Sequence, residues 1–207
     1  SLFSSTANAD LSKFFKKLGC ESSTNAYSIT GSTPFVDSIF SVKYALYSEA
    51  VSNTELMMYL RESGGTYLYE NLYTLPLGFV LSSDIEENWQ YEMDNPAEVQ
   101  NDLCLVSGAD EVLVDAGGTV NKNTFTFTPD ETGKYYVFVM NKKVKTVKAE
   151  LPTGQKSFSN VDRGYLLELG NLAPGTEVKL TADEAGEQLN AIAYRFSEDA
   201  MVQVYDR

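Results

Sequence analysis

Carboxylates are the only abundant side chains in this 207-residue chain that could perform acid/base chemistry. There is no histidine, which excludes Ser-His-Asp and Cys-His nucleophilic sites as well as histidine-ligated zinc. The 29 Asp and Glu residues could supply the pair of carboxyl groups that a glycosidase uses, but sequence does not give the spacing between two carboxyls. The familiar serine-nucleophile and phosphate-loop motifs are absent as well. We therefore predict no catalytic residue in this chain.

The acidic residues are concentrated in one stretch. No Lys or Arg occurs between Arg61 and Lys122. The net charge of the whole chain is −13. The carboxylates of this stretch are Asp84, Glu86, Glu87, Glu92, Asp94, Glu98, Asp102, Asp110, Glu111 and Asp115. A solvated acidic face is the favoured interpretation, and a divalent-cation site is the alternative, although no EF-hand-like ligand spacing supports it. We predict no metal, no cofactor and no nucleic-acid partner.

The two cysteines and the single tryptophan leave alternatives open. Cys20 and Cys104 could form a disulfide outside the cell, but two separately buried thiols are favoured. Trp89 lies within the acidic stretch and is the best candidate in the first half for stacking on a sugar ring, and Tyr69, Tyr73 and Tyr91 are further candidates. The alternative is that Trp89 packs over the helix that follows it.

The spacing of apolar and turn residues predicts an α+β chain. Residues 1–117 are predicted to form a mixed α/β domain, and residues 118–207 an antiparallel β-sandwich of jelly-roll-like or immunoglobulin-like type. The helices predicted in the first domain are Leu11–Leu18, a short helix after a Ser52/Glu55 capping box, and a helix beginning at Asn95-Pro96. Its predicted strands are Ser41–Tyr47, Thr66–Tyr69, Leu75–Leu81 and Glu111–Asp115. The second domain is predicted to contain about eight short strands, the last at Met201–Tyr205, and no helix.

The ends of the chain and its apolar runs indicate a soluble piece. The longest uncharged apolar run, Leu72 to Ser83, is shorter than the ~20 residues of a membrane-spanning helix. The chain begins at Ser1 without the features of a signal peptide. We expect an excised part of a longer protein, and a processed mature protein would begin in a similar way.

Several short motifs occur together in a recognisable order. They are Phe3-Ser4-Ser5-Thr6, Gly31-Ser32-Thr33-Pro34, Val42-Lys43-Tyr44, the run from Tyr69 to Val80, and Asn95 to Asn101. In this order and spacing the chain resembles the YfhO family of bacterial polytopic membrane proteins over most of residues 1–117. The sandwich half is similar in pattern but has no sharp motif.

The resemblance implies a location and a context for the chain. YfhO-like proteins have many membrane-spanning helices and a large extracytoplasmic region, and they resemble glycosyltransferases that use a lipid-phosphate sugar donor. Members are linked to the addition of sugars to teichoic acids in Gram-positive envelopes. The chain would then be the extracytoplasmic domain, with the membrane-embedded part of the same polypeptide as its partner and an envelope carbohydrate polymer as its ligand. It would be inactive without the membrane part.

Some motif residues have no obvious role in folding and are therefore the candidate ligand contacts. The predicted substrate-binding residues are Ser4, Ser5, Tyr69, Glu70, Asn71, Trp89, Gln100 and Asn101. Their polar groups could bind sugar hydroxyls or dock the domain on its membrane-embedded part. Because teichoic acid is a polyanion, we expect its contacts to avoid the acidic stretch and to use the sandwich or the junction between the domains.

Two other functions remain open at this level. One is a carbohydrate-binding or scaffolding module of the envelope without an enzymatic parent. The other is a carboxylate-dependent hydrolase that acts on envelope glycans.

Overall fold

The chain has an α+β fold, as the sequence predicts. The computed structural model describes residues 2–3, 8–51, 54–184 and 186–206. The helices in these residues are α1 (Ala9–Lys17), α2 (Pro34–Ile39), α3 (Asp84–Asn88), α4 (Pro96–Val106) and α5 (Glu198–Tyr205). The strands of the N-terminal half are β1 (Leu2–Phe3), β2 (Ser22–Ser23), β3 (Ala26–Tyr27), β4 (Tyr44–Tyr47), β5 (Met57–Ser63), β6 (Thr66–Asn71) and β7 (Leu113–Asp115). The strands that follow are β8 (Thr119–Asn121), β9 (Thr124–Phe127), β10 (Gly133–Val139), β11 (Val147–Leu151), β12 (Gly154–Phe158), β13 (Leu167–Leu172), β14 (Val178–Ala182) and β15 (Ala191–Phe196).

The two helices with the clearest start signals are confirmed. At α1, the Asn8 side chain accepts hydrogen bonds from the amides of Asp10 and Leu11 at 2.9 and 3.1 Å. At α4, Asn95 accepts from the Ala97 amide at 3.0 Å, and Pro96 occupies the first turn. Each cap satisfies amides that have no partner inside the helix, which is why these sequences begin helices reliably.

Two predictions of helix and strand are wrong at places where a local pattern was misleading. Residues Met201–Tyr205 were predicted as a strand but lie in α5, where the Ser197 hydroxyl accepts from the Ala200 amide and caps the helix. The short helix predicted after residue 52 is instead strand β5; Ser52 itself lies outside the described residues. Strands β5 and β6 are joined by Gly64-Gly65, both with positive φ, as a two-residue hairpin requires.

A third correction concerns the strand predicted at Leu75–Leu81. This segment forms an irregular loop between β6 and α3 and pairs with no strand in the described part of the chain. Its run of uncharged apolar residues suggested a buried strand. Several of these side chains are exposed instead, which becomes important below.

Two antiparallel sheets form the second half and share one hydrophobic core. Their strand orders are β13-β10-β15-β7 and β12-β11-β14-β9-β8. The core contains Phe125 and Phe127 of one sheet together with Tyr135 and Val137 of the other. The strands predicted for this half before Met201 all overlap observed strands; the predictions are Phe125–Phe127, Lys134–Met140, Lys143–Glu150, Ser157–Val161, Tyr165–Leu169, Glu177–Thr181 and Ile192–Phe196. The jelly-roll-like or immunoglobulin-like assignment stays a prediction.

The four-stranded sheet is buried on both faces, because helices cover the face that the other sheet leaves free. Tyr136, Phe138 and Phe196 of this sheet share a second core with α4, α5 and Phe35 of α2. Strand β7, which precedes the predicted boundary at residue 117, pairs with β15 in this sheet. The two halves therefore pack over a shared core, and the division into domains 1–117 and 118–207 stays a prediction.

Both cysteines are buried as free thiols. Burial raises the pKa of Cys20 and of Cys104 to about 12, so both are poor nucleophiles at neutral pH. The helices of the described ranges are all too short or too polar to cross a bilayer.

Candidate functional site

A cleft of about 730 Å³ lies at the junction between the N-terminal half and the sandwich. One wall consists of residues 29–32, Asp37 of α2 and strand β4. The opposite wall consists of Lys134 of β10, residues 156–159 and Glu168 of β13. Charged, hydroxyl-bearing and aromatic side chains therefore meet at the junction, where sequence-distant elements come together.

Asp37 is the most unusual group in this cleft. Its Oδ1 atom is buried and has no hydrogen-bond partner among the described residues. Burial raises the pKa of Asp37 to about 6, while the nearby Ser32 hydroxyl and Lys134 ammonium act in the opposite direction. The carboxyl group is held in place by α2, which begins at Thr33, whose hydroxyl accepts from the Val36 amide at 3.3 Å.

Lys134 and Glu168 form an ion pair across two neighbouring strands. Strands β10 and β13 are antiparallel, and Lys134 Nζ lies 2.8 Å from Glu168 Oε1. Burial by itself would lower the pKa of Lys134, but the neighbouring Tyr136 and Glu168 outweigh it, so the pKa lies above its usual value. Lys134 is therefore a fixed cation at neutral pH, and it also lies 5.9 Å from the centre of the Tyr136 ring.

The remaining charged side chains that line the cleft have partners within the chain. Glu21 pairs with Arg163 at 2.7 Å, and Lys156 donates to the Glu168 carbonyl at 2.8 Å. Tyr44 of β4 lines the cleft and is 54% exposed, with Lys43 Nζ 5.3 Å from the centre of its ring. The cleft is thus lined by a carboxyl group with one buried, unpartnered oxygen, by a half-buried ion pair and by an exposed aromatic residue, an arrangement that suits a ligand with several hydroxyl groups.

Three of the predicted ligand contacts lie in or at the end of β6 and hold neighbouring loops. The Tyr69 hydroxyl accepts from the Val51 amide at 2.9 Å, and Tyr69 is 5% exposed. Glu70 forms an ion pair with Lys43 at 3.4 Å. Asn71 donates to the Val42 carbonyl at 3.2 Å and accepts from the Tyr73 amide.

The other three described candidates lie in α4 or pack against it. Trp89 donates to the Val99 carbonyl at 2.9 Å and packs on the following helix, the alternative that the sequence left open. Gln100 is fully buried and bridges the Thr33 hydroxyl at 2.6 Å and the Leu18 carbonyl at 2.8 Å. Asn101 exchanges two hydrogen bonds of 2.8 Å with the backbone of Leu113.

The predicted contacts therefore do not form one cluster, and these six described residues are absent from the lining of the cleft. Ser4 and Ser5 lie outside the described residues. A role for these residues in substrate binding stays a prediction, although their polar groups serve contacts within the chain. The cleft residues Asp37, Lys134 and Glu168 were missed. The motifs Gly31–Pro34 and Val42–Tyr44 were the available signal, since residues of both motifs line the cleft.

Comparison with known proteins gives the context for the cleft. The model of a family described as bacterial membrane protein YfhO matches residues 1–110. The chain belongs to the YfhO family. Searches of curated proteins and of solved structures found no match. The YfhO match covers Asp37 and β4, whereas Lys134 and Glu168 lie beyond it, so the cleft combines the family-defining half with the sandwich.

Among the residues that the structure describes, no group of three or more Cys, Asp or Glu side chains is arranged to hold a metal ion.

Proposed function

We propose that the chain is an extracytoplasmic domain of a YfhO-family membrane protein and that its cleft binds the hydroxyl-rich part of an envelope polymer. The domain would hold this acceptor for the membrane-embedded part of the same polypeptide. That part resembles glycosyltransferases with lipid-phosphate sugar donors, and teichoic acid is the acceptor that the resemblance suggests. No catalytic residue is assigned to this chain.

The unpartnered Oδ1 of Asp37 is the observation that carries the proposal. A buried acceptor without a donor costs free energy, so a folded chain rarely keeps one without a reason. A hydroxyl group of a sugar or polyol would supply the missing donor. The other charges of the cleft already have partners, so the site favours uncharged hydroxyl groups over phosphates.

The distribution of charge favours binding of the acceptor in this cleft over binding on the surface of the acidic stretch. A polyanionic acceptor is repelled by the carboxylates of residues 84–115 within a Debye length of about 8 Å. In the cleft, the positive charges of Lys134 and Lys156 offset part of the negative charge of the carboxylates that line it. A polymer can then place its sugar or polyol units in the cleft while its phosphates remain in solvent.

Replacing Tyr44 with alanine tests the cleft without disturbing the core. Pairs of aromatic rings contribute about 0.5–1.5 kcal/mol. If stacking on the apolar face of a sugar ring contributes as much, Tyr44→Ala should weaken binding about 3- to 10-fold. The probe is a soluble glucosylated glycerol phosphate oligomer, and the measurement is isothermal titration calorimetry.

Tyr59→Ala is the matched control for this experiment. Tyr59 of β5 is 53% exposed, like Tyr44, but does not line the cleft. Its replacement should leave affinity unchanged. Equal losses in both variants, or loss only with Tyr59→Ala, would contradict binding in the cleft.

A glycan hydrolase is the second candidate, because one observation favours it. Asp37, with a pKa raised to about 6, would keep a proton in weak acid, as a general acid requires. Glu168 also lines the cleft, but its ion pair with Lys134 makes it a poor second carboxylate for catalysis. Release of reducing sugar from envelope glycan by the chain, abolished in Asp37→Asn, would establish this alternative.

A further inference from the structure

A loop with exposed apolar side chains, residues 72–83, projects between β6 and α3. Leu77 and Val80 are each 97% exposed, and Leu72, Phe79 and Leu81 are also exposed. Folded soluble domains expose single apolar residues often, but two nearly fully exposed aliphatic side chains within four residues are unusual and mark a surface that contacts something else.

The base of this loop is firmly attached to α2 and to the chain that follows it. The Leu75 amide donates to the Ser38 carbonyl at 3.3 Å, and the Ser38 hydroxyl donates to the Tyr73 carbonyl. Thr74 donates to the Asn71 carbonyl at 3.0 Å. The Tyr73 ring contacts Tyr205 of α5. The apolar tip of the loop, residues 77–81, therefore extends from a base that these contacts hold in place.

The distribution of charge around the loop indicates the kind of surface that its tip could contact. Residues 71–83 carry no charge in a chain of net charge −13, and the carboxylates Asp84, Glu86 and Glu87 follow at once in α3. An uncharged, aliphatic and aromatic tip complements the uncharged acyl region of a bilayer. The acidic helix beside it offers no attraction to anionic headgroups, so the attraction is apolar.

We propose that residues 77–81 insert into the outer part of the lipid bilayer to which the YfhO-family protein belongs. Because the base of the loop is bonded to Ser38, the residue after Asp37, this contact fixes the cleft close to the membrane surface. The inference goes beyond the proposed function and does not depend on which ligand occupies the cleft.

A fluorescent label at residue 80 tests the contact directly. Both native cysteines are buried, so Val80→Cys can be labelled selectively at neutral pH with the polarity-sensitive dye NBD. The chain is anchored through a flexible C-terminal hexahistidine tag to phosphatidylcholine vesicles that contain nickel-chelating lipid, which gives a high local concentration. We expect NBD emission to rise at least twofold and to shift to the blue on the vesicles.

Two further variants make the result specific. Adding Leu77→Asp should remove the emission change, because a carboxylate next to the label opposes insertion; Leu77 is fully exposed, so the fold is not disturbed. The same dye at Thr153→Cys, in the exposed β11–β12 turn, should show no change.

Unchanged emission at residue 80 would overturn the proposal and would point to a protein partner for the loop. Equal changes at residues 80 and 153, or a change that survives Leu77→Asp, would overturn it as non-specific adsorption. Sugar binding enters none of these outcomes, so failure here is distinguishable from failure of the proposed function.

Discussion

Replacing Gly31 with alanine is expected to lower the free energy of unfolding by about 2–5 kcal/mol. Gly31 has φ +85°, where an L-residue costs roughly 1–2 kcal/mol. A Cβ atom would also lie 2.5 Å from the Gly19 carbonyl oxygen and 2.6 Å from that of Leu166. Both are backbone atoms, which cannot move aside as a flexible side chain would, so about 1–3 kcal/mol of overpacking is added.

The effect of Gly31→Ala reports on the junction that forms the cleft. Gly31 lines the cleft and packs between the end of α1 and the chain just before β13, where the Leu166 amide donates to Gly19 at 2.9 Å. Urea denaturation is the measurement. Gly65→Ala is the control, because Gly65 also has a positive φ (+75°) but open space around its Cβ position. Its expected cost is the backbone contribution alone, about 1–2 kcal/mol. Equal costs for the two substitutions would contradict the close packing of the two halves.

Asp37→Asn is expected to stabilise the chain at pH 7 by about 1–3 kcal/mol in the absence of ligand. Burial of Asp37 opposes the charged form and raises its pKa from 3.8 to about 6. Each pKa unit corresponds to about 1.4 kcal/mol of stability. Asparagine keeps the shape of the side chain and removes the buried charge.

The pH dependence gives the sign of this effect. A carboxyl group whose pKa is higher in the folded state binds its proton more tightly when folded, so it favours folding most at pH below 3.8. This contribution is lost as the pH rises from about 4 to about 6 and stays constant above that. Thermal unfolding from pH 4 to 8 should show the loss in the native chain and not in Asp37→Asn.

Asp84→Asn controls for the change in net charge. Asp84 is an exposed carboxylate in α3, and its replacement removes the same charge from a chain of net charge −13. We expect little change in its stability at pH 7. If Asp37→Asn were no more stable than Asp84→Asn, the unsatisfied carboxylate in the cleft, and with it the argument for a hydroxyl-rich ligand, would be contradicted.

The elements predicted well are those whose sequence contains a complete local signal. Asn95-Pro96 supplies both a cap and a proline in the first turn, and α4 begins there. Strand β10 contains a run of aromatic and β-branched residues buried on both faces. In such cases the local preference and the tertiary packing agree.

The wrong predictions arise where a weaker local signal competes with tertiary structure. A Ser52/Glu55 capping pattern suggested a helix, whereas the Gly64-Gly65 turn makes residues 57–63 a hairpin strand. In the Leu75–Leu81 loop, a run of uncharged apolar residues indicated a buried strand, although no partner strand is present in the described chain. Strand pairing is a tertiary property and cannot be inferred from an apolar run alone.

The cleft could not be assembled from sequence because its parts are far apart along the chain. Asp37 lies in a short helix of six residues that Thr33 caps, and Lys134 and Glu168 lie in the sandwich. Gln100 and Asn101 were selected because no folding role was apparent. Their hydrogen bonds to Thr33 and Leu113 supply such a role, which depends on contacts between distant segments.

Chemical-shift mapping by NMR is the most direct test that the cleft is the ligand site. The ¹⁵N-labelled chain is titrated with the soluble glucosylated glycerol phosphate oligomer, without added metal. We predict that the largest shifts cluster at Ser32, Asp37, Tyr44, Lys134 and Glu168, on both walls of the cleft. Shifts that cluster at residues 84–94, or no shifts at millimolar oligomer, would contradict the proposal that this junction binds the acceptor.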